Sequence, residues 1–135
     1  MRKIVFLIVL GLTIISCDVN QDETYTYEVN PVFGVVMPTA FKKDSITEIP
    51  VKYKRPSTCH IFKNFYYEVT DFNRTVAIET IKVNQDNCQV DTETVYESPL
   101  RFKPTVLGTY HFKFWTGQDT QGVDQYLEYN VVVDH

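Results

Sequence analysis

The chain carries none of the short motifs that announce catalysis. No Gly-x-Ser-x-Gly elbow, His-Glu-x-x-His pair or glycine-rich phosphate loop occurs in its 135 residues. The acidic residues Glu79, Glu93, Glu97 and Glu128 fall on the polar sides of strand-like segments, where charge normally serves solvation. An enzyme is therefore not expected. Cys-x-x-Cys is missing, and with it the usual mark of a reactive thiol pair. No apolar run reaches the roughly 20 residues that a membrane-crossing helix needs. Lys and Arg are absent from Asp18 to Phe41, where Asp18, Asp22, Glu23 and Glu28 supply the only charges. With a net charge of −4, the chain is not expected to bind nucleic acid.

What is present at the start is Arg2 and Lys3, an apolar core from Ile4 to Ile15, and then Ser16-Cys17 at an abrupt polar border. Basic start and short apolar core make a signal peptide. The segment Ile14-Ile15-Ser16-Cys17 resembles the lipobox of bacterial lipoproteins. That resemblance implies cleavage before Cys17, a diacylglycerol thioether on its sulfur and an acyl chain on the new amino terminus, with no other cofactor. Two or more chains anchor a protein stably in a membrane, at about 0.8 kcal/mol per buried CH₂. The acidic stretch that follows resembles the export signal of Bacteroidetes-type surface lipoproteins. This implies the cell envelope, at the outer membrane, with the periplasmic face and the cell surface both open. The expected organisation is a signal peptide at 1–16, a lipidated cysteine with an acidic tether at 17–24, and one domain at 25–135.

Six prolines punctuate the chain, but between Ser57 and Ser98 there is neither Pro nor Gly. That window is rich in β-branched and aromatic residues, which favour strands. Nine Tyr and nine Phe are a heavy aromatic load for this length. Strands are expected at Tyr25 to Met37 (broken near Asn30-Pro31), Ile46 to Lys54, His60 to Val69, Thr75 to Val83, Thr92 to Lys103, Thr109 to Trp115 and Tyr126 to Val133. About seven short strands with polar turns between them read as an all-β, antiparallel sandwich.

In "LRFKPTVLGTYHFKFW", Tyr110, Phe112 and Phe114 alternate with His111, Lys113 and Trp115. The Gly108-x-Tyr110-x-Phe112 order resembles the tyrosine corner of immunoglobulin-like and fibronectin-III-like domains, with Phe112 where antibody domains have Cys. The resemblance implies that Tyr110 is buried with its hydroxyl on backbone between Lys103 and Leu107. Period two then turns Phe112 and Phe114 inward, and His111, Lys113 and Trp115 outward.

With Cys17 lipidated, Cys59 and Cys88 remain, and an exported chain with two cysteines is expected to join them. A ring of about thirty residues contributes roughly 3–4 kcal/mol. His60, His111 and His135 are scattered, and the loop Thr116 to Gln125 has no Cys, His or Met for a copper site. Asp119 and Asp124 share that loop and are the weak alternative for a calcium ion, although the Asp-x-Asp-x-Asp-Gly pattern is missing. Asp44-Ser45-Ile46 resembles the O-glycosylation signal of Bacteroidetes-type exported proteins, which implies a sugar on Ser45.

Binding remains. His111, Lys113 and the sole tryptophan, Trp115, form the candidate face, with Tyr126 as partner across the last hairpin. The expectation is a membrane-anchored binding or assembly module for a protein or glycan. The alternative is an envelope lipoprotein that senses a small ligand or handles calcium.

Overall fold

A computed structural model of the chain describes residues 24–135. The expected signal peptide, the expected lipidation of Cys17 and the expected tether before Thr24 fall outside these residues. The described chain is all-β: β1 (Tyr25–Asn30), β2 (Val32–Val35), β3 (Thr47–Lys54), β4 (His60–Thr70), β5 (Asn73–Val83), β6 (Val95–Phe102), β7 (Gly108–Gln118) and β8 (Asp124–Val133). There are eight strands where about seven were expected, because Pro31 splits the first into β1 and β2, which join different sheets. Proline has no N–H to offer a ladder, so the chain changes sheets there.

The smaller sheet has the order β2-β3-β6, all antiparallel. In the larger sheet β4 lies along one edge of β5, while β1 and β7 share the other, and β8 follows β7. β1 takes the C-terminal half of β5, from Ile78 to Val83, and β7 takes Asn73 to Val76.

The expectation of a wholly antiparallel arrangement is corrected at one pair: β5 and β7 run parallel. The cause lies in which strand of the β4–β5 hairpin is the more apolar. Val76, Ala77, Ile78 and Thr80 of β5 are all buried. β4 instead exposes Lys63, Asn64 and Glu68. A strand covered on both faces belongs at the centre. Placing β5 beside β7 fixes its direction, since the tight turn at Asp71 makes β4 antiparallel to it. Asp71 is left-handed, with φ 53°, as such short turns require.

Facing side chains of the two sheets close the core. Ile49, Val51, Tyr53, Leu100 and Phe102 come from the smaller sheet, and Val76, Ile78, Tyr110, Phe112, Phe114, Val131 and Val133 from the larger. Phe102 stands edge-on to Phe41, Tyr110 and Phe112 at centroid distances of 5.1, 5.1 and 5.0 Å. Edge-to-face pairs set the positive rim of one ring against the negative face of another.

Two devices hold the end of the sandwich where β1 begins. The Cys59–Cys88 disulfide ties the start of β4 to the loop after β5, with the Cα atoms 5.4 Å apart. Next to it, His60 Nδ1 meets Ser57 Oγ at 2.8 Å, and His60 Nε2 meets Glu28 Oε2 at 2.8 Å. Ser57 Oγ also accepts the N–H of Cys59 at 3.3 Å. The buried imidazole thereby links β1, the 57–60 turn and β4.

Candidate functional site

The outward side of the larger sheet is ordered in cross-strand rows. In an antiparallel or parallel ladder, paired residues point to the same face. One row is Glu68, Thr75, Lys113 and Glu128, across β4, β5, β7 and β8. The next, two residues along β5, is Tyr66, Ala77, Trp115 and Tyr126, with Ala77 and Trp115 one step beyond the last paired position of β5 and β7. Beyond that come Asn64, Glu79 and Val29, where β1 replaces β7.

Ala77 marks the middle of this face. Although it points away from the core, it is only 3% exposed. A residue with one methyl group cannot cover itself, so the taller side chains on either side enclose it. The result is a groove of about 310 Å³ lined by Val29, Tyr66, Thr75, Ala77, Trp115 and Tyr126, with Glu68 and Asp124 at its rim.

Each wall is held in place. The Tyr66 hydroxyl donates to Glu68 Oε2 at 2.7 Å, and this hydrogen bond to the carboxylate pushes the phenol up from its ordinary value. Trp115 Nε1 donates to Asp124 Oδ1 at 2.9 Å, and Gln118 Nε2 donates to the same oxygen at 3.1 Å. The Lys113 ammonium lies 4.4 Å from the centre of the Tyr126 ring and 4.0 Å from Glu128. His111 bonds both Asn130 and Glu128 on β8. Walls fixed before a ligand arrives lose less entropy when it binds.

The structure thus places His111, Lys113, Trp115 and Tyr126 on one outward face, and Tyr110, Phe112 and Phe114 inward. Trp115 is half-buried, and its indole edge is turned to Asp124. Sequence reasoning missed Tyr66, Glu68, Thr75 and Ala77. Their approach to Trp115 depends on the parallel β5–β7 pair, for which the local pattern has no signal. The one hint is Ala77 itself, a small residue among Val, Ile and Thr.

The loop carboxylates have structural partners. Asp119 Oδ1 accepts the N–H groups of Gln121 at 2.8 Å and Val123 at 3.0 Å, which closes the β7–β8 turn. Asp124 orients Trp115. Among the described residues no group of three or more His, Cys, Asp or Glu side chains stands together as a metal site. Ser45 is exposed in the turn before β3, beside left-handed Asp44. A larger opening, of about 380 Å³, lies between Phe62, Asn64, Phe65 and Tyr67 of β4 and Pro99 to Arg101 of β6, with Asn64 at its outer edge beside the β-bulge. Phe62, Phe65 and Tyr67 are paired with Thr80, Ile78 and Val76, so they belong to the core face, and the opening is the flank where the two sheets part.

No family model matches the chain, and no curated protein or solved structure matches it.

Proposed function

We propose that the chain is a lipid-tethered binding module of a bacterial cell envelope, with an immunoglobulin-like sandwich whose larger sheet offers its outward face to a protein or glycan. The observation that carries this reading is the aromatic groove over Ala77, with its walls already pinned. Exposed aromatics at fixed angles supply contact area at little entropic cost, which is what a recognition surface needs. The immunoglobulin-like assignment rests on the corner, where the Tyr110 hydroxyl donates to the carbonyl of Val106 at 2.9 Å. The parallel β5–β7 pair makes it a variant of that plan.

The anchor follows from Ser16-Cys17 after the apolar core. From Cys17 to Thr24 an extended tether reaches at most about 25 Å, which keeps the domain near the membrane. Fractionation of native cells tests the anchor: Cys17→Ala should move the protein out of the membrane fraction or leave it as a precursor. The face is tested by photo-crosslinkers introduced in intact cells at Asn64, on the outward side of the larger sheet, and at Lys52, on the other sheet. Adducts from Asn64 and none from Lys52 are expected. Equal yields from both, or none from Asn64, would count against the proposed face.

A further inference from the structure

We infer that the groove over Ala77 is a saccharide subsite, for a neutral sugar ring held between Tyr66 and Trp115. This deepens the binding-module reading above and rests on it.

Four observations point to that ligand class. First, the walls are aromatic rings on either side of a small floor. The apolar face of a pyranose, where its axial C–H groups gather, packs on such rings. Second, carboxylates flank the walls with capacity to spare. Glu68 engages the Tyr66 hydroxyl through Oε2, and Asp124 engages the indole through Oδ1. Each carboxylate has a second oxygen, Glu68 Oε1 and Asp124 Oδ2, that can accept a ligand hydroxyl. The hydroxyl of Thr75, on the floor, can donate or accept.

Third, the charges select against an anion, and one of the aromatic faces is already taken by a cation. Glu68, Asp124 and Glu128 beside the groove repel an anion. Lys113 already occupies the face of Tyr126, where a ligand cation would otherwise sit over the ring. A neutral ligand with many hydroxyls meets neither obstacle. Fourth, Val29 bounds the groove on the β1 side, and beyond it lies a smaller depression lined by Tyr27, Glu28, Lys63 and Glu79. Val29 lines both. The succession suits a chain of sugar rings better than a single compact group.

Trp115 is the only tryptophan, so its emission reports this groove alone. The experiment titrates the full chain, as its host produces it, with neutral polysaccharides (a glucan, a mannan, a galactan and a xylan). An acidic polysaccharide and choline serve as contrasts. A saturable change with at least one neutral polymer, and none with the contrasts, is expected. Ala77→Leu fills the floor and Tyr66→Ala removes one wall. Each should weaken binding roughly tenfold or more, with the melting temperature close to that of the unaltered chain for at least the exposed Tyr66 change. No response to any neutral polymer would overturn the inference. So would a response left intact in both variants, or one shown only to choline or to the acidic polymer. A protein adduct from Asn64 without any saccharide response would overturn the sugar while leaving the binding module standing.

Discussion

Tyr110 joins two structural roles on one ring. Its aromatic part fills the core between Phe72 and Phe102, at centroid distances of 5.0 and 5.1 Å. Its hydroxyl donates to Val106 O at 2.9 Å and accepts the Val106 N–H at 3.3 Å. Tyr110→Phe keeps the first role and removes the second. Val106 then loses a partner for each of its backbone groups, and stability should fall by about 1–3 kcal/mol in urea unfolding. A variant as stable as the parent would mean that the corner bond is idle. Gly108 presents a complementary case. Its φ is 146°, and a Cβ there would lie 2.8 Å from two atoms of the Phe72 ring. Gly108→Ala combines backbone strain with that clash and should cost more than about 1 kcal/mol. Adding Phe72→Leu should recover only the clash, so partial rescue is the expected outcome in the same unfolding assay. Both residues were legible in the sequence, because a Gly-x-Tyr before an alternating aromatic strand carries its own geometry. Phe72 was not, since the pattern gives no reason for a turn residue to reach across to another strand.

The loop from Asn84 to Thr94 is an element without regular structure, yet it is fastened at several points. Cys88 binds it covalently, Gln89 O accepts Thr58 N–H at 2.8 Å, and Ser57 pairs with Val90. At its far end Asp91 Oδ2 accepts from the Tyr96 hydroxyl at 2.6 Å and from Arg55 Nη2 at 2.8 Å. Arg55 also reaches the carbonyl of His60 at 3.0 Å and stacks over Tyr96 at 3.9 Å. The hydrogen bond from Tyr96, and then those from Thr94 and Arg55, lower the Asp91 carboxyl from 3.8 to about 2. The folded state therefore favours the charged form. This contribution is complete above the unfolded value near 3.8 and disappears as pH falls towards about 2. Asp91→Asn should flatten the loss of stability between about pH 4 and pH 2, as read from urea midpoints across that range. An unchanged acid slope would show that Asp91 does not hold the loop. The cysteine pair was legible from parity together with the expectation of export. It offered no sign of the Arg55–Asp91–Tyr96 cluster, whose members come from three separate segments. The same limit explains the parallel pair. Alternation along β5 reveals a strand, but its neighbour is decided only when β4 and β5 compete for the central place, and the more apolar β5 takes it.

At the scale of the whole molecule the sandwich has two unlike ends. β5 spans 11 residues, or about 36 Å at roughly 3.3 Å per residue. Its last residue, Val83, pairs with Tyr25, where β1 begins, and Thr24 O accepts the N–H of Asn84 at 2.8 Å. The other end gathers the start of β5, the corner before β7 and the chain terminus. There Phe72 O accepts His111 N–H at 3.0 Å, Asp44 N–H reaches Pro104 O at 2.7 Å, and Lys43 N–H reaches His135 O at 2.7 Å. Those bonds set Asp44-Ser45-Ile46 on the end opposite Tyr25, with Ser45 exposed and even Ile46 52% exposed. A tether at Cys17 would make that the membrane-distal end, the part of the domain most accessible to an envelope enzyme. The expected outcome is a saccharide on Ser45, adding a discrete mass, beyond that of any acyl chains, to the polypeptide isolated from its native host. Ser45→Ala should remove that mass and leave stability nearly unchanged, because the side chain is exposed and surface changes of this kind usually stay within about 0.5 kcal/mol. A native mass accounted for by the polypeptide and any acyl chains alone would exclude the modification. Since Ser45 and the Ala77 groove lie on different parts of the sandwich, the Ser45→Ala chain should still answer the saccharide titration through Trp115, which separates a sugar carried by the protein from a sugar bound by it.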